Sequence, residues 1–259
     1  MPEMKSYDLL GNVALVKFSD KFKLKDKKKF AEKILSEQKS IRTILEKKEK
    51  IKGRLRKLST NFIAGENTKE ILYHENGCTF RFNIDETYFS PRLSNERKEL
   101  ASKIKKNDLV LVMFAGVAPF SIVIAKHSKA KKVFSNELNR AANKYAEMNI
   151  KLNKLQDKIE LVNGDIKKIA PKIGKKFDVI VMPRPQLKDS FLNEAFLLSK
   201  KGTKVYYYDF CKIEEIDSIV EKVKKEAANA KKKIKIFNVK RAGEIAPYKI
   251  RLRIDFEVI

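Results

Sequence analysis

Histidine and cysteine are almost missing from this chain. Of 259 residues, only His74, His127, Cys78 and Cys211 carry an imidazole or a thiol. Their spacing matches neither a zinc site nor a disulfide framework, so both cysteines read as ordinary residues of a reduced, cytoplasmic protein. Long hydrophobic runs are missing too. Nothing approaches the roughly 18 consecutive apolar residues of a membrane helix, and the opening MPEMKSYDLL does not read as a signal peptide. With 43% hydrophobic and 35% charged residues, the composition is that of a soluble globular protein. No metal and no membrane partner are expected, and the chain is expected to be monomeric.

Acidic residues are also scarce: 33 Asp and Glu stand against 58 Lys and Arg, a formal charge of +25. Adaptation to heat raises glutamate together with lysine, so it does not account for the imbalance. Either the surface is simply solvated, or the partner is a polyanion. The second reading is favoured, with nucleic acid held by phosphate contacts as its simplest form.

What is present is an alternating pattern. LVLVMF (109–114), KKVFSNE, KIELVNGD, FDVIVM and GTKVYYYDF read as strands. Helical stretches separate them: PFSIVIAKH with Pro119 in its first turn, NRAANKYAEMNIKLNK, DSFLNEAFLLSK and IEEIDSIVEKVKKEAANA. The end, from KIKIF onward, reads as two strands joined by a Gly/Pro-containing loop. The implied fold class is α/β: a Rossmann-like, doubly wound sheet with an antiparallel strand at or near its edge. The first part differs. A strand YDLLGNVALVKF, a basic helix DKKKFAEKILSEQ, an ambiguous SIRTILEKKEKIKGRLR and a hairpin turned by Asn76-Gly77 suggest a small α+β unit. The expected division is 1–90 for that unit, positioning RNA or a base, and 91–259 for the larger one. A helix over PRLSNERKELASKIKK connects them.

The chemistry-bearing residues lie at the strand ends. Phe114-Ala115-Gly116-Val117 is a glycine turn opening a helix, where a sheet brings backbone close to a ligand. It is not G-x-G-x-x-G, since Ala118 and Ser121 break that pattern, which weakens a nicotinamide or flavin reading. Glu137 follows about 20 residues later, at the second strand's end, where an acid binds ribose. Asp165 ends the third strand. Any one of these acids alone reads as a solvated loop residue. Together they describe an adenosyl site without a pyrophosphate grip, which points to S-adenosylmethionine. The expected cofactor contacts are Phe114, Ala115, Gly116, Val117, Glu137, Leu138, Asp165, Ile166 and Met182.

YFSPRLSNER (88–97) followed by FAGVAPFSIVIAK resembles the archaeal/eukaryotic tRNA (guanine-37-N1)-methyltransferase family of class I methyltransferases. The likeness takes in IKGRLR, AGEN and HENGCTFRFNID upstream, and ELNRAANKYAEMNIKLNK, NGDI and the terminal hairpin downstream, about residues 45–259. PRLSNER sets it apart from the related wyosine-pathway aminocarboxypropyl transferases. The resemblance implies tRNA as partner, its anticodon loop as target, Glu96 as the base that takes the guanine N1 proton, and Arg56 as the stabiliser of charge on O6. The plainer reading of Glu96 and Arg56 is an ion pair holding the small unit to the sheet. Tyr88, Phe89 or Pro185 are candidates to stack on the splayed-out base. Arg92 and Arg97 suit phosphate contacts and solvation equally.

Three departures from the family stand out. Val112 replaces an aspartate and Ala118 a glycine, which together would shrink or dry the methionine side of the pocket. About 108 residues precede the first sheet strand, fewer than the usual additional N-terminal tRNA-binding domain would need. After the fourth strand, Val181-Met182-Pro183-Arg184-Pro185-Gln186 stands where the family has Asn-Leu-Pro. Pro183 and Arg184 are therefore expected at the base pocket, with Arg184 facing the base or the anticodon phosphates. Met-Pro-x-Pro is similar to the archaeal branch that also methylates C7 of 4-demethylwyosine. A rigid strand exit with no catalytic part is the plainer reading. An aminocarboxypropyl transferase and a catalytically silent RNA-binding protein remain the alternative functions.

Overall fold

The run VALV has a small or branched apolar residue at every position and forms a strand buried along its whole length. It is β2 (Val13–Val16), paired antiparallel with β1 (Tyr7–Leu10). Helix α1 (Leu24–Glu37) then carries the chain to β3 (Thr43–Lys47), which runs parallel to β2, and β4 (Thr60–Gly65) closes this four-stranded sheet. Ala31 and Ile34 of α1 pack with Ala14, Val16, Phe18 and Ile44 to make its core. The stretch that read as either helix or strand is thus a strand where it is described. The computed structural model describes residues 7–19, 21–48, 58–184 and 187–259.

A separate hairpin, β5 (Glu70–Glu75) and β6 (Cys78–Asn83), turns at Asn76-Gly77 with both φ angles positive, 47° and 65°. That is the primed turn the dipeptide calls for. These elements fall in one compact unit, Met1–Pro91, and the rest of the chain, Arg92–Ile259, forms a second.

The second unit begins with α2 (Ser94–Lys103), shorter than expected because Pro91–Leu93 is a single 3-10 turn and the chain is extended from Ile104. Strand and helix then alternate: β7 (Leu109–Val112), α3 (Pro119–His127), β8 (Lys132–Glu137), α4 (Arg140–Leu152), β9 (Ile159–Asn163) and a single turn α5 (Ile166–Ile169). After these come β10 (Phe177–Met182), α6 (Leu192–Leu198), β11 (Ser199–Lys212), α7 (Ile216–Asn229), β12 (Ile234–Ala246) and β13 (Lys249–Val258). The sheet order is β12-β13-β11-β10-β7-β8-β9. The five strands β7 to β11 are parallel, while β13 is antiparallel to both its neighbours. The reversed strand therefore sits one place in from the edge, as the terminal hairpin suggested. Its position explains its burial: β13 is covered on both faces over most of its length, whereas β12, on the edge, alternates between half-buried and exposed.

Two glycines in the first unit separate strain from crowding. Gly11 has φ +58°, and a Cβ there would lie 2.0 Å from the carbonyl oxygen of Leu72; Gly77 has φ +65° with open space around it. Gly77→Ala is expected to cost about 1–2 kcal/mol, the left-handed penalty alone. Gly11→Ala must move backbone as well and should cost clearly more, as read by urea denaturation of the two variants side by side.

Candidate functional site

The parallel strands β7, β8, β9 and β10 end at a common carboxyl edge, and the sheet order reverses between β7 and β10. Open α/β sheets bind ligands outside that crevice. Strand β7 stops at Val112 because the next residues turn sharply: Phe114, Gly116 and Ala118 all have left-handed φ, at 57°, 59° and 67°. Ala118 N-terminally caps α3, whose first residue is Pro119. Within this turn the Gly116 N–H donates to Glu137 Oε2 at 2.7 Å, and Glu137 Oε1 accepts from the Asn139 N–H at 2.7 Å. Asp165 caps α5, accepting from the Lys167 N–H at 3.2 Å. The sequence-predicted residues Phe114 to Val117, Glu137, Leu138, Asp165, Ile166 and Met182 thus all lie at adjoining strand ends. Met182, Val117 and Ile166 are buried in the wall, while Phe114, Glu137, Leu138 and Asp165 are half-buried. A half-buried carboxylate at each of two neighbouring strand ends suits a ribose and a purine edge, so these residues fit an adenosyl group. Val112 and Ala118 are both fully buried.

Three asparagines that went unremarked in the sequence hold these loops together. Asn136 Nδ2 donates to the Val162 and Gly164 carbonyls at 2.7 and 3.0 Å. Asn143 Nδ2 donates to the Glu137 carbonyl at 3.0 Å, and Asn149 Nδ2 to that of Val117 at 3.1 Å. Asn143 and Asn149 lie on the buried face of α4 beside Ala142, Ala146 and Ile150. Polar residues on a face that should be apolar were the available signal.

Glu96, the expected base, is 7% exposed and sits in a charged cluster. Arg253 Nη1 is 2.6 Å from its Oε2, Lys240 Nζ is 2.7 Å from its Oε1, and the Tyr208 hydroxyl donates to Oε2 at 2.8 Å. One turn along α2, Glu99 takes Arg253 Nη2 at 2.8 Å and Lys240 at 2.5 Å. Arg253, itself fully buried, also donates from Nε to Asp255 Oδ1 at 2.7 Å. Burial raises the Glu99 carboxyl, but Arg253 and Lys240 together outweigh it and bring it down to about 2. Burial, and then the Glu96 carboxylate, push the Tyr208 phenol well above its ordinary range. Among the described residues, Glu96 is ion-paired with Arg253 and Lys240. Arg56 lies outside the described residues. Arg97, buried at 1%, packs its guanidinium over Phe120 at 5.6 Å, which corrects the expectation of a solvated or phosphate-facing side chain. Arg92 is exposed.

The strand exit after β10 also differs from expectation. Pro183 is half-buried, and Arg184 points inward, 4% exposed. Its guanidinium is ion-paired with Asp209 and donates to the Leu187 and Asp189 carbonyls at 3.0 and 3.1 Å. It stacks over Tyr207, whose hydroxyl donates to the same Asp209 at 2.7 Å. Arg184 is thus a pin for its loop, spent on protein acceptors and not presented to base or phosphate. Pro185 and Gln186 lie outside the described residues. Phe89, a candidate for base stacking, is instead packed among Tyr73, Phe80 and Phe82 at ring separations of 4.9, 5.6 and 4.8 Å. Tyr88 is half-buried.

Comparison with known proteins gives consistent matches. A model of the TRM5/TYW2 methyltransferase domain matches residues 71–237, and one of the TYW2 N-terminal domain matches residues 3–68. A curated relative from Nanoarchaeum equitans, the tRNA (guanine(37)-N(1))/4-demethylwyosine(37)-methyltransferase Taw22, is 32% identical over 98% of this chain and 100% of its own. The crystal structure of Trm5b from Pyrococcus abyssi superposes with a TM-score of 0.85 at 32% identity, over 98% of this chain and 75% of that one. The complex of aTrm5 with tRNALeu gives 0.83 at 28%, covering 98% and 72%. Methanocaldococcus jannaschii Trm5 with adenosine gives 0.81 at 29%, covering 98% and 74%.

The charged cluster makes two predictions. Arg253→Met leaves three carboxylates without their shared cation and should cost roughly 3–5 kcal/mol, measured by denaturant unfolding. Glu99 has its folded pKa depressed from 4.5 to about 2. Its contribution to stability is therefore complete above pH 4.5 and is lost as the pH falls towards 2. Melting curves across that window should show a decline that is shallower in Glu99→Gln than in the parent.

Proposed function

Because the chain belongs to the TRM5/TYW2 methyltransferase family, we propose that it methylates N1 of guanosine at tRNA position 37. The observation that carries this reading is the pairing of an adenosyl-type strand-end site with a buried, oriented carboxylate on α2. S-adenosylmethionine, when bound, supplies the electrophilic methyl group. Glu137 and Asp165 would hold it through its adenosyl hydroxyl and amino groups, and the backbone of the turn Phe114–Val117 would face it. Guanine N1 is protonated at neutral pH, so it becomes a nucleophile only as that proton leaves. A carboxylate offers about four acceptor positions. Tyr208, Arg253 and Lys240 occupy three on Glu96, which leaves one for the N1 proton. Arg56, by its place in IKGRLR, is assigned the stabilisation of charge on O6. Arg184 keeps the loop after β10 in shape, and Pro183 forms the lip of the base pocket. Residues 1–90 are assigned to positioning the RNA, on the strength of the lysine-rich, exposed face of α1. Cytoplasmic location is proposed with the tRNA substrate.

Methylation of C7 of 4-demethylwyosine is proposed as a second activity of the same site. Met182-Pro183-Arg184-Pro185 and the double activity named for the Nanoarchaeum relative support it. The match of residues 3–68 to a TYW2 N-terminal domain favours one other reading, transfer of the aminocarboxypropyl arm.

Cofactor labelled in the methyl group, incubated with tRNA carrying G37 or 4-demethylwyosine, should label both tRNAs; no label on either removes the proposal. Label that moves only from the cofactor's carboxyl carbon supports the aminocarboxypropyl reading. Glu96→Gln should lower kcat by about 10²-fold or more with little change in cofactor affinity. Equal loss of both would place Glu96 in structure alone.

A further inference from the structure

The cations of the second unit are not spread evenly around its sheet. In a doubly wound sheet every helix-to-strand connector lies at the amino edge, opposite the cofactor site. Here five such connectors, and the first residues of β11 where α6 runs into the strand without a connector, each carry at least two lysines. They are Lys105 and Lys106 before β7, Lys129 and Lys131 before β8, Lys154 and Lys158 before β9, and Lys175 and Lys176 before β10. Lys200 and Lys201 open β11, and Lys231, Lys232 and Lys233 precede β12. All but Lys232 are exposed. The acids among them are already engaged or few: Asp178 takes the Leu109 N–H and Lys200, Asp108 takes the Lys105 N–H, and Asp157 stands alone. The carboxyl-edge connectors (113–118, 138–139, 164–165, 183–191, 213–215 and 247–248) contain the buried Arg184 and Lys188, and the element ends that flank them add Arg140, Lys167, Lys168, Lys212 and Lys249, spread singly or in one pair.

Helix C-termini point at the amino edge and favour a cation there. That explains the sign of the charge but not two or three lysines at every connector. With strands about 4.8 Å apart, the row spans about 29 Å, the length over which a duplex presents on the order of 15 phosphates. The six-residue β10 separates the two edges by about 20 Å, more than twice the ~8 Å Debye length at physiological salt. The row therefore cannot act on phosphates seated at the cofactor edge.

We propose that the amino edge of this sheet is a second RNA-binding surface, which holds the phosphate backbone of an RNA helix without reading its sequence and independently of the base pocket. It stands apart from the methyl-transfer reading, since no part of it uses the cofactor site.

The test uses the full chain and a blunt RNA duplex of about 20 base pairs, a length that covers the row and offers no unpaired base to the pocket. The parent should bind it with an affinity that falls steeply with salt. The variant Lys106→Gln/Lys131→Gln/Lys201→Gln/Lys233→Gln should bind at least tenfold more weakly at ~0.1 M salt, with a log–log salt slope shallower by about 3. A control with the same charge change, Lys144→Gln/Lys168→Gln/Lys212→Gln/Lys224→Gln, should stay within about twofold of the parent, the loss expected when no phosphate contact is removed. Loss of equal size in both variants, or no duplex binding by the parent, overturns the proposal. So does polyglutamate of matched charge binding as tightly as the duplex, which would assign the row to an acidic protein. Duplex binding is read without any methyl transfer, so failure of this surface and failure of the proposed activity remain distinct results.

Discussion

The second unit is organised around one buried guanidinium. Arg253 has no exposed surface and is shared by Glu96, Glu99 and Asp255, with Lys240 closing the cluster from the neighbouring edge strand. A cluster of this kind adds little net stability, because removing the charges from water offsets most of their attraction. What it does fix is geometry. Glu96 and Glu99 are three residues apart, so they share a helix face, and both must meet the same guanidinium. A rotation of α2, or a slip by one turn, breaks both contacts at once and leaves the buried Arg253 with Asp255 as its one remaining carboxylate in the cluster, which is the costly outcome. The orientation of the Glu96 carboxylate is therefore set by the sheet, not by α2 itself, whose weak segregation of apolar residues would hardly hold it in one rotation.

That dependence also marks the limit of what could be read in the sequence. Strand and helix alternation, the reversed strand near the edge and the Asn76-Gly77 hairpin were all legible, because each is written in neighbouring residues: runs of Val, Ile and Leu, a proline in a first turn, an Asn-Gly between alternating apolar positions. PRLSNER likewise pointed to Glu96 as a residue of interest. Of the two cations that meet it among the described residues, Arg253 lies 157 positions away on β13, and nothing local in RLRIDF announces it. Arg184 failed in the same manner. Flanked by prolines at a strand exit it reads as a surface cation, yet Asp209, 25 residues later at the end of a tyrosine run, draws it inward. A charge is placed by its partner, and a partner distant in sequence is invisible to spacing arguments.

At the carboxyl edge the legible and illegible parts are interleaved. The glycine turn and the two strand-end acids stood out because their intervals follow from strand and helix length. The asparagines did not, since an amide in a helix is ordinary by composition, and only the fold shows that Asn143 and Asn149 reach backwards to loop carbonyls. Ala118 is a further case. A non-glycine residue in the left-handed region costs on the order of 1 kcal/mol, and it is accepted here because Pro119 and the start of α3 demand that turn. Residue type alone suggests a change in a pocket lining; in the fold its methyl is fully buried.

The same fold geometry divides the charge. Every α/β repeat presents a helix N-terminus to the carboxyl edge and a C-terminus to the amino edge, so the dipoles alone favour acids on one side and bases on the other. Glu137, Asp165 and Asp189 follow this rule at the carboxyl edge, and the result is a site suited to hydroxyl and amino donors. Screening confines the pull of each cationic surface on RNA to its own neighbourhood. The large net charge is therefore not a single property of the chain but several local ones, of which the lysines opposite the cofactor site are one row that strand order brings together.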